Sequence, residues 1–431
     1  MADDPLRVRI AILGAGTVGS QVARLLIEQK DDLAQRIGAI PDVIGIAVLD
    51  PDEEREDDLP RSLFTSDIGE LVVEADIIVE LMGGIEPART VLLRALSGGK
   101  SVVTANKALL AAHGPEIYEA ADAAGADLYF EAAVAGAIPL VRPVRESLAG
   151  DRVKKILGIV NGTTNYVLDQ MTTRHLAYDV ALKEAQELGF AEADPTADVE
   201  GYDAAAKAAI LASLAFHMRD GLGDVYREGI TEITPFDVDA ATESGHVIKL
   251  LAIAERTDAG VCVRVHPALV PLTHPLANVR GAFNAVFIEA EAAGELMFYG
   301  KGAGGLPTAS AVLGDIVSVA RHLAIGGKGP RESNYVDVPV LPLSAARTRF
   351  QMRLEILDQP GVLAKVAAIL GAHKVSIEAV RQPPRAAEAP FAHLIISTHE
   401  AVEADLDATV EEIRECDVVN SVLSVLRIEG E

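Results

Sequence analysis

The sequence predicts an α/β protein: a doubly wound parallel sheet at the N-terminus, an α+β middle, and a C-terminal βαββαβ unit. Three observations predict it. A β-branched, apolar run at residues 7–13 opens directly into Gly14-Ala15-Gly16-Thr17-Val18-Gly19. Strand-like and helix-like stretches then alternate as far as residue 130. Residues 347–431 repeat a compact order of strand, helix, strand, strand, helix, strand. A chain of 431 residues is long enough for several domains. The expected boundaries are a nucleotide-binding domain at 1–135, a middle domain at 136–323, a linker at 324–346 and a terminal domain at 347–431. A helix near 307–322 is expected to return to the first domain.

Strand, G-x-G-x-x-G and helix in succession let a backbone approach a pyrophosphate at a helix N-terminus. Gly14, Ala15, Gly16, Thr17, Val18 and Gly19 are therefore cofactor-binding candidates of a Rossmann-type domain; the alternative is a plain tight turn. A second strand is expected at 43–49, ending at Asp50, an acid placed to accept from the ribose hydroxyls of a dinucleotide. Asp52, Glu53 and Glu54 would repel a 2′-phosphate and only Arg55 would attract one, which leans toward NAD over NADP. Strand-like runs at 76–81, 101–104 and 126–130, separated by helical patterns at 87–96 and 107–124, imply a parallel sheet. Ligands gather at the carboxyl ends of such strands. Leu81-Met82-Gly83-Gly84 and Thr104-Ala105-Asn106-Lys107 both fall there. Lys107 opens a helix against its dipole; it either binds substrate or cofactor or is simply exposed.

In the middle of the chain, EAAVAGAIP at 131–139 is small and loop-like, suited either to close packing or to carbonyls gathered around an ion. Asn161-Gly162-Thr163-Thr164-Asn165 reads as a polar turn with helix-capping residues. A glycine loop at 300–305 feeds a helix with Pro307 in its first turn; it either presses on a cofactor, through residues such as Gly305, or reverses the chain.

Residues 189–211 ask for the most explanation. Gly189 is placed to stop the helix before it. Glu192, Asp194, Asp198, Glu200 and Asp203 then crowd together, and from Ala204 to Phe216 the only charged residue is Lys207. A helix with no polar face is expected to be buried on most sides. Lys207 shares the face of Ile210, Leu211 and Leu214, where an unpaired ammonium costs on the order of several kcal/mol. Asp203, one turn earlier, is placed to partner it. The pair reads as a buried structural ion pair or as part of an active site.

The formal net charge of −26 argues against nucleic acid or an anionic membrane as partner. No apolar stretch reaches bilayer-spanning length, and residues 1–10 lack the pattern of a signal peptide. Cys262 and Cys416 stand far apart and read as core residues. The expected location is a reducing cytoplasm. The terminal unit reads as an open-faced sandwich with an exposed sheet edge suited to self-pairing.

With these residues in view, the sequence resembles the homoserine dehydrogenases that carry a C-terminal ACT domain, over its whole length. TANK at 104–107, NGTTNY at 161–166 and GFAEADPTADVEGYDAAAKAAIL at 189–211 carry the resemblance. ELMGGIEPA at 80–88, GAGGLPTASAV at 302–312 and DQPGVLAKV at 358–366 add to it. It implies NAD(P)-dependent interconversion of aspartate 4-semialdehyde and homoserine. By the motifs, Lys207 is the proton donor to the aldehyde oxygen. Asp203 and Glu192 bind homoserine's amino end, with Gly189 in the same stretch. Asp198 is similar to an acid near the reacting hydroxyl, and Lys107 to a lysine facing cofactor and substrate, with Thr104 and Gly305 on the cofactor side. The carbonyls of Glu131, Val134, Gly136 and Ile138 are similar to a monovalent-cation site, usually sodium. Two departures stand out. AGAIP at 135–139 replaces the commoner AGGIP, and Leu49 stands where many relatives place an arginine thought to favour NADP. The resemblance further implies a homo-oligomer, a dimer or tetramer, with threonine as the expected effector. The rival readings are another NAD(P) oxidoreductase acting on an amino-acid aldehyde or imine, and a nonenzymatic NAD(P) and amino-acid sensor.

Overall fold

The computed structural model describes residues 6–55, 58–218, 225–330, 336, 338–383 and 390–430. It divides into two compact units. The first comprises Met1–Lys154, Ala206–Asp224 and Phe283–Val338; the second comprises Lys155–Ala205, Val225–Ala282 and Pro339–Glu431.

The first unit is built on a six-stranded parallel sheet in the order Phe64–Thr65, Ile40–Ala47, Arg7–Leu13, Ile77–Glu80, Ser101–Thr104, Leu128–Tyr129. The strand order reverses beside Arg7–Leu13, which puts the ligand crevice of a doubly wound fold over Gly14–Gly19 and the turn after Glu80. Ile10, Ile12, Ile77, Val79 and Val103 are buried in the sheet, each contributing about 1.5–3 kcal/mol of transfer free energy. Helix Gly19–Glu28 covers them with Val22, Ala23 and Leu26. The returning helix spans Gly305–Ala324, and its Ala309, Val312, Ile316 and Val319 complete the same core. The second strand ends at Ala47, earlier than expected. Helix Lys107–Ala124 bends at His113, just before Pro115, which has no N–H to continue the ladder.

In the second unit, strands His246–Thr257 and Gly260–Pro271 form a long antiparallel hairpin, and Lys155–Gly158 pair with the former. The terminal βαββαβ unit has its own core of Phe350, Met352, Leu354, Val366, Leu370, Leu406 and Ile413. Its strands run in the order Val419–Ile428, Arg347–Ile356, Ala392–Thr398, Ile377–Arg381. The loop expected at 382–390 lies mostly outside the described residues. Residues 331–335 and 337 of the expected linker also lie outside them. Val340–Leu341 pair with Val261–Cys262, and a helical turn follows at Leu343–Ala345.

The terminal unit shares the sheet of the middle domain. Strand Val419–Ile428 pairs in parallel with Gly260–Pro271 at Ala268 and Leu269. Glu429, just beyond it, accepts from Arg264 at 2.7 Å and Lys155 at 2.9 Å, and Arg264 also meets Glu255 at 3.1 Å. Burial opposes ionisation of Glu429, yet the charges of Arg264 and Lys155 hold its carboxyl well below the usual range. Nearby His266 stays neutral, pushed down to about 3 by burial and by Arg427.

Candidate functional site

The three glycines of the N-terminal turn each have a distinct role. Gly14 has φ +104°, and a Cβ there would lie 2.8 Å from the Leu81 carbonyl oxygen. At Gly19 a Cβ would lie 2.0 Å from the Gly14 oxygen, so helix and strand pack closer than any side chain permits. Gly16 faces open space. That division matches a turn, an open approach for a pyrophosphate and a close helix–strand contact. Gly305 abuts the same turn: its Cβ would lie 2.8 Å from the Thr17 oxygen. A cavity of about 600 Å³ opens over Gly14 and Gly16, lined also by Leu49, Glu53, Arg55 and Met82. Asp50 lies beyond the shortened strand, its carboxylate accepting the Asp52 N–H at 3.0 Å. Glu53 and Arg55, not Asp50, line the cavity.

At the carboxyl ends of the next two strands, Glu80 organises both loops. Its Oε1 accepts the N–H groups of Met82 (2.9 Å) and Gly83 (3.1 Å), and its Oε2 accepts the Thr104 hydroxyl at 2.6 Å. Asn106 caps the following helix through Leu109 and donates to the Gly84 carbonyl at 2.6 Å. Lys107 opens that helix and is exposed. Glu80 thus positions both loops, and its signal in the sequence is an acid inside the apolar run IIVEL at 77–81.

Residues 131–138 are held in an unusual loop. Glu131 is buried, and its carboxylate accepts the N–H groups of Leu140, Val141 and Arg142 and the Arg142 guanidinium. Its own N–H donates to Asp315, whose carboxyl is pushed up to about 7 by burial and by the Glu131 charge. Ala135 and Gly136 both have φ +58°. Two successive left-handed residues turn the chain so that, among the described residues, no backbone N–H donates to the carbonyls of Val134, Gly136 or Ile138. All three residues are buried, and buried unpaired carbonyls are costly. A Cβ on Gly136 would lie 2.3 Å from the Gly302 oxygen. Asn284, buried against Gly302, has neither polar side-chain atom partnered among the described residues. No group of three or more His, Cys, Asp and Glu residues is placed for a metal among the described residues.

In the second unit the NGTTN turn and the acidic stretch converge. Asn161 caps helix Gly162–Arg174 by accepting from the Thr164 N–H at 2.9 Å. Its Nδ2 donates to Asp198 Oδ1 at 2.7 Å and to Asp203 Oδ2 at 3.0 Å. One amide thus holds two carboxylates of the acidic stretch side by side. Thr163 donates to the Phe190 carbonyl at 2.5 Å, binding the turn to the segment after Gly189. Gly189 has φ +75°, the helix stop expected of it. Asp194 is occupied locally, accepting from Thr196 N–H and hydroxyl, and Glu192 is exposed. Asp203 and Lys207, a turn apart on helix Tyr202–Phe216, are both buried, as are Ala208, Ile210, Leu211, Ala212 and Phe216. The expected dry helix is borne out.

Comparisons with known proteins place the chain in a family. The sequence pattern of homoserine dehydrogenase matches residues 139–317, that of the homoserine dehydrogenase NAD binding domain residues 14–131, and that of the ACT domain residues 351–418. The homoserine dehydrogenase of Mycobacterium tuberculosis is 54% identical over 440 residues, covering 100% of this chain and 99% of the relative. The chain belongs to the homoserine dehydrogenase family. The family's enzyme from Corynebacterium glutamicum is 52% identical over 98% of this chain and 96% of its own. The crystal structure of a homoserine dehydrogenase from Thiobacillus denitrificans superposes with a TM-score of 0.92 at 40% identity, covering 98% of each chain. As a homoserine dehydrogenase, the chain is a nicotinamide-dependent oxidoreductase acting on a CH–OH group. It interconverts aspartate 4-semialdehyde and homoserine, and its ACT domain implies regulation by an amino acid. Among the described residues, no helix is long and apolar enough to cross a membrane.

Proposed function

We propose that homoserine is held by the acidic stretch around Asp198 and Asp203 while Lys207 handles the proton of the reacting oxygen. The Asn161 bridge carries this reading: one amide holds two carboxylates side by side, a local negative charge suited to a cationic substrate group. The α-ammonium of homoserine is such a cation, with Asp203 its counter-charge and Glu192, near Gly189, a second. Asp198 stands toward the reacting hydroxyl. Lys207, buried on the same helix as Asp203, donates a proton to the aldehyde oxygen during reduction and takes one up in the reverse direction. The nicotinamide supplies or accepts the hydride. Lys107 and Thr104 stand at strand ends where cofactor and substrate meet in doubly wound folds, and Gly305 backs the glycine turn. The acids after Leu49 support a preference for NAD.

The loop of Glu131, Val134, Gly136 and Ile138 suits a monovalent cation, with sodium the reading favoured here. Among the described residues the buried carbonyls of Val134, Gly136 and Ile138 have no backbone N–H donor, while that of Glu131 accepts the Val134 N–H at 3.4 Å. All are neutral oxygens, and a single charge needs no carboxylate among its ligands. Threonine is the proposed effector of the ACT domain. The assembly is a homodimer or homotetramer, and the location cytoplasmic.

Reduced-nicotinamide absorbance, followed with homoserine and either cofactor, tests the reading. Homoserine-dependent reduction is expected with wild type, and Lys207→Ala should lose most of kcat while its melting profile stays cooperative. Near-normal turnover in that variant would remove Lys207 from the proton-transfer role.

A further inference from the structure

We infer that Glu53 and Arg55, rather than Asp50, set the choice between cofactors with and without a 2′-phosphate, Arg55 contacting the phosphate and Glu53 the free ribose hydroxyls. The inference rests on the reading that the cavity over Gly14 and Gly16 takes the adenosine half of the dinucleotide.

Strand Ile40–Ala47 stops short of Asp50, which turns into its own loop and accepts from Asp52. The chain then folds back, and Glu53 and Arg55 line the cavity beside Leu49 and Ser66. Arg55 is placed by its surroundings: its Nη2 donates to the Asp50 carbonyl at 2.9 Å and its Nη1 to the Glu53 carbonyl at 3.1 Å. Its guanidinium lies 5.0 Å from the centre of the Phe64 ring, with Arg61 over the same ring at 5.8 Å. Arg61 also donates to the Glu53 carbonyl at 3.1 Å. The Arg55 side chain is 12% exposed, against 64% for Glu53.

Nη2 of Arg55 meets the Glu53 carboxylate at 2.8 Å, so the two charges offset each other while the cavity is empty of ligand charge. A ribose with free hydroxyls gives Glu53 two donors and leaves the pair intact. A 2′-phosphate carries close to two negative charges near neutral pH and competes for the Arg55 guanidinium, a planar donor suited to phosphate. It also meets repulsion from Glu53. The pair therefore admits both cofactors, and the balance between its members sets the ratio.

The test is calorimetric titration of adenosine 2′,5′-bisphosphate and adenosine 5′-diphosphate into wild type, Arg55→Gln and Glu53→Gln, alongside kcat/KM for NADP and NAD. Arg55→Gln should weaken the 2′-phosphorylated ligand by about tenfold or more and move the other by less than about twofold. Glu53→Gln should do the opposite, tightening the 2′-phosphorylated ligand and weakening the diphosphate a few-fold. The NADP/NAD ratio of kcat/KM should follow in both variants. Equal weakening of both ligands by Arg55→Gln would mean that the arginine only shapes the loop, and an unchanged ratio in both variants would equally overturn the inference. Failure of both ligands to bind wild type would overturn the cavity assignment itself, whereas binding of only one would leave that assignment standing and overturn the inference that the pair admits both cofactors.

Discussion

Replacing Asn161 with serine isolates the bridge between the two carboxylates. Serine caps a helix about as well as asparagine, so helix Gly162–Arg174 keeps its first-turn acceptor while Asp198 and Asp203 lose their shared donor. Hydrogen bonds to charged groups are worth about 1.5–3 kcal/mol each. Asp198 is partly exposed and recovers much of its bond from water; Asp203 is buried and does not. A loss of about 3 kcal/mol falling on substrate use corresponds to roughly a hundredfold drop in kcat/KM for homoserine. Asn161→Asp should be worse near neutral pH, because it retains the cap but sets a third carboxylate against the other two. Initial rates of homoserine-dependent cofactor reduction, with thermal melts to confirm folding, measure both. A folded Asn161→Ser enzyme with kcat/KM within about twofold of wild type would refute the argument that this amide assembles the site.

Other expectations follow from buried charge and backbone geometry. Lys249, bonded to Asn165 and to the Val279 carbonyl, is pushed down to about 8 by burial, with Asp169 opposing the shift. Between that value and its ordinary one the unfolded chain holds more protons, so this residue adds stability as pH rises. Urea unfolding should show about 2 kcal/mol more gain from about pH 7.5 to about pH 9.5 in wild type than in Lys249→Met; equal gains would remove Lys249 as the cause. Glu429→Gln strips Arg264 and Lys155 of a buried counter-charge and should cost about 3–5 kcal/mol, read as a lowered melting temperature. A negligible shift would show that water enters this network. Sodium should raise the melting temperature more than lithium does, and Gly136→Ala should abolish the difference. Its Cβ would be driven into the Gly302 carbonyl at a left-handed φ. Persistence of the sodium effect in that variant would place the cation elsewhere.

Sequence by itself determined what depends on neighbours along the chain. The three glycines announced their turn because φ and Cβ exclusion are local properties, and each takes up the role its spacing implied. The missing polar face announced the burial of helix Tyr202–Phe216, and the terminal unit was legible from periodicity alone. Tertiary structure decided what depends on side chains meeting across long separations. Asn161 was legible only as a cap, because its other two bonds reach residues 37 and 42 positions away. Glu80 and Thr104 sit on adjacent strands 24 residues apart, a pairing the sheet order creates. The terminal unit read as a domain beyond a linker with an exposed edge, yet Glu429 joins Arg264 across 165 residues, since a strand's edge partner is not written in its own pattern. The end of the second strand also needed the fold, for its last residues leave the sheet and put Glu53 and Arg55 where Asp50 was expected. Local conformation follows from covalent geometry and periodic burial, whereas convergence of charge depends on which segments the core brings together.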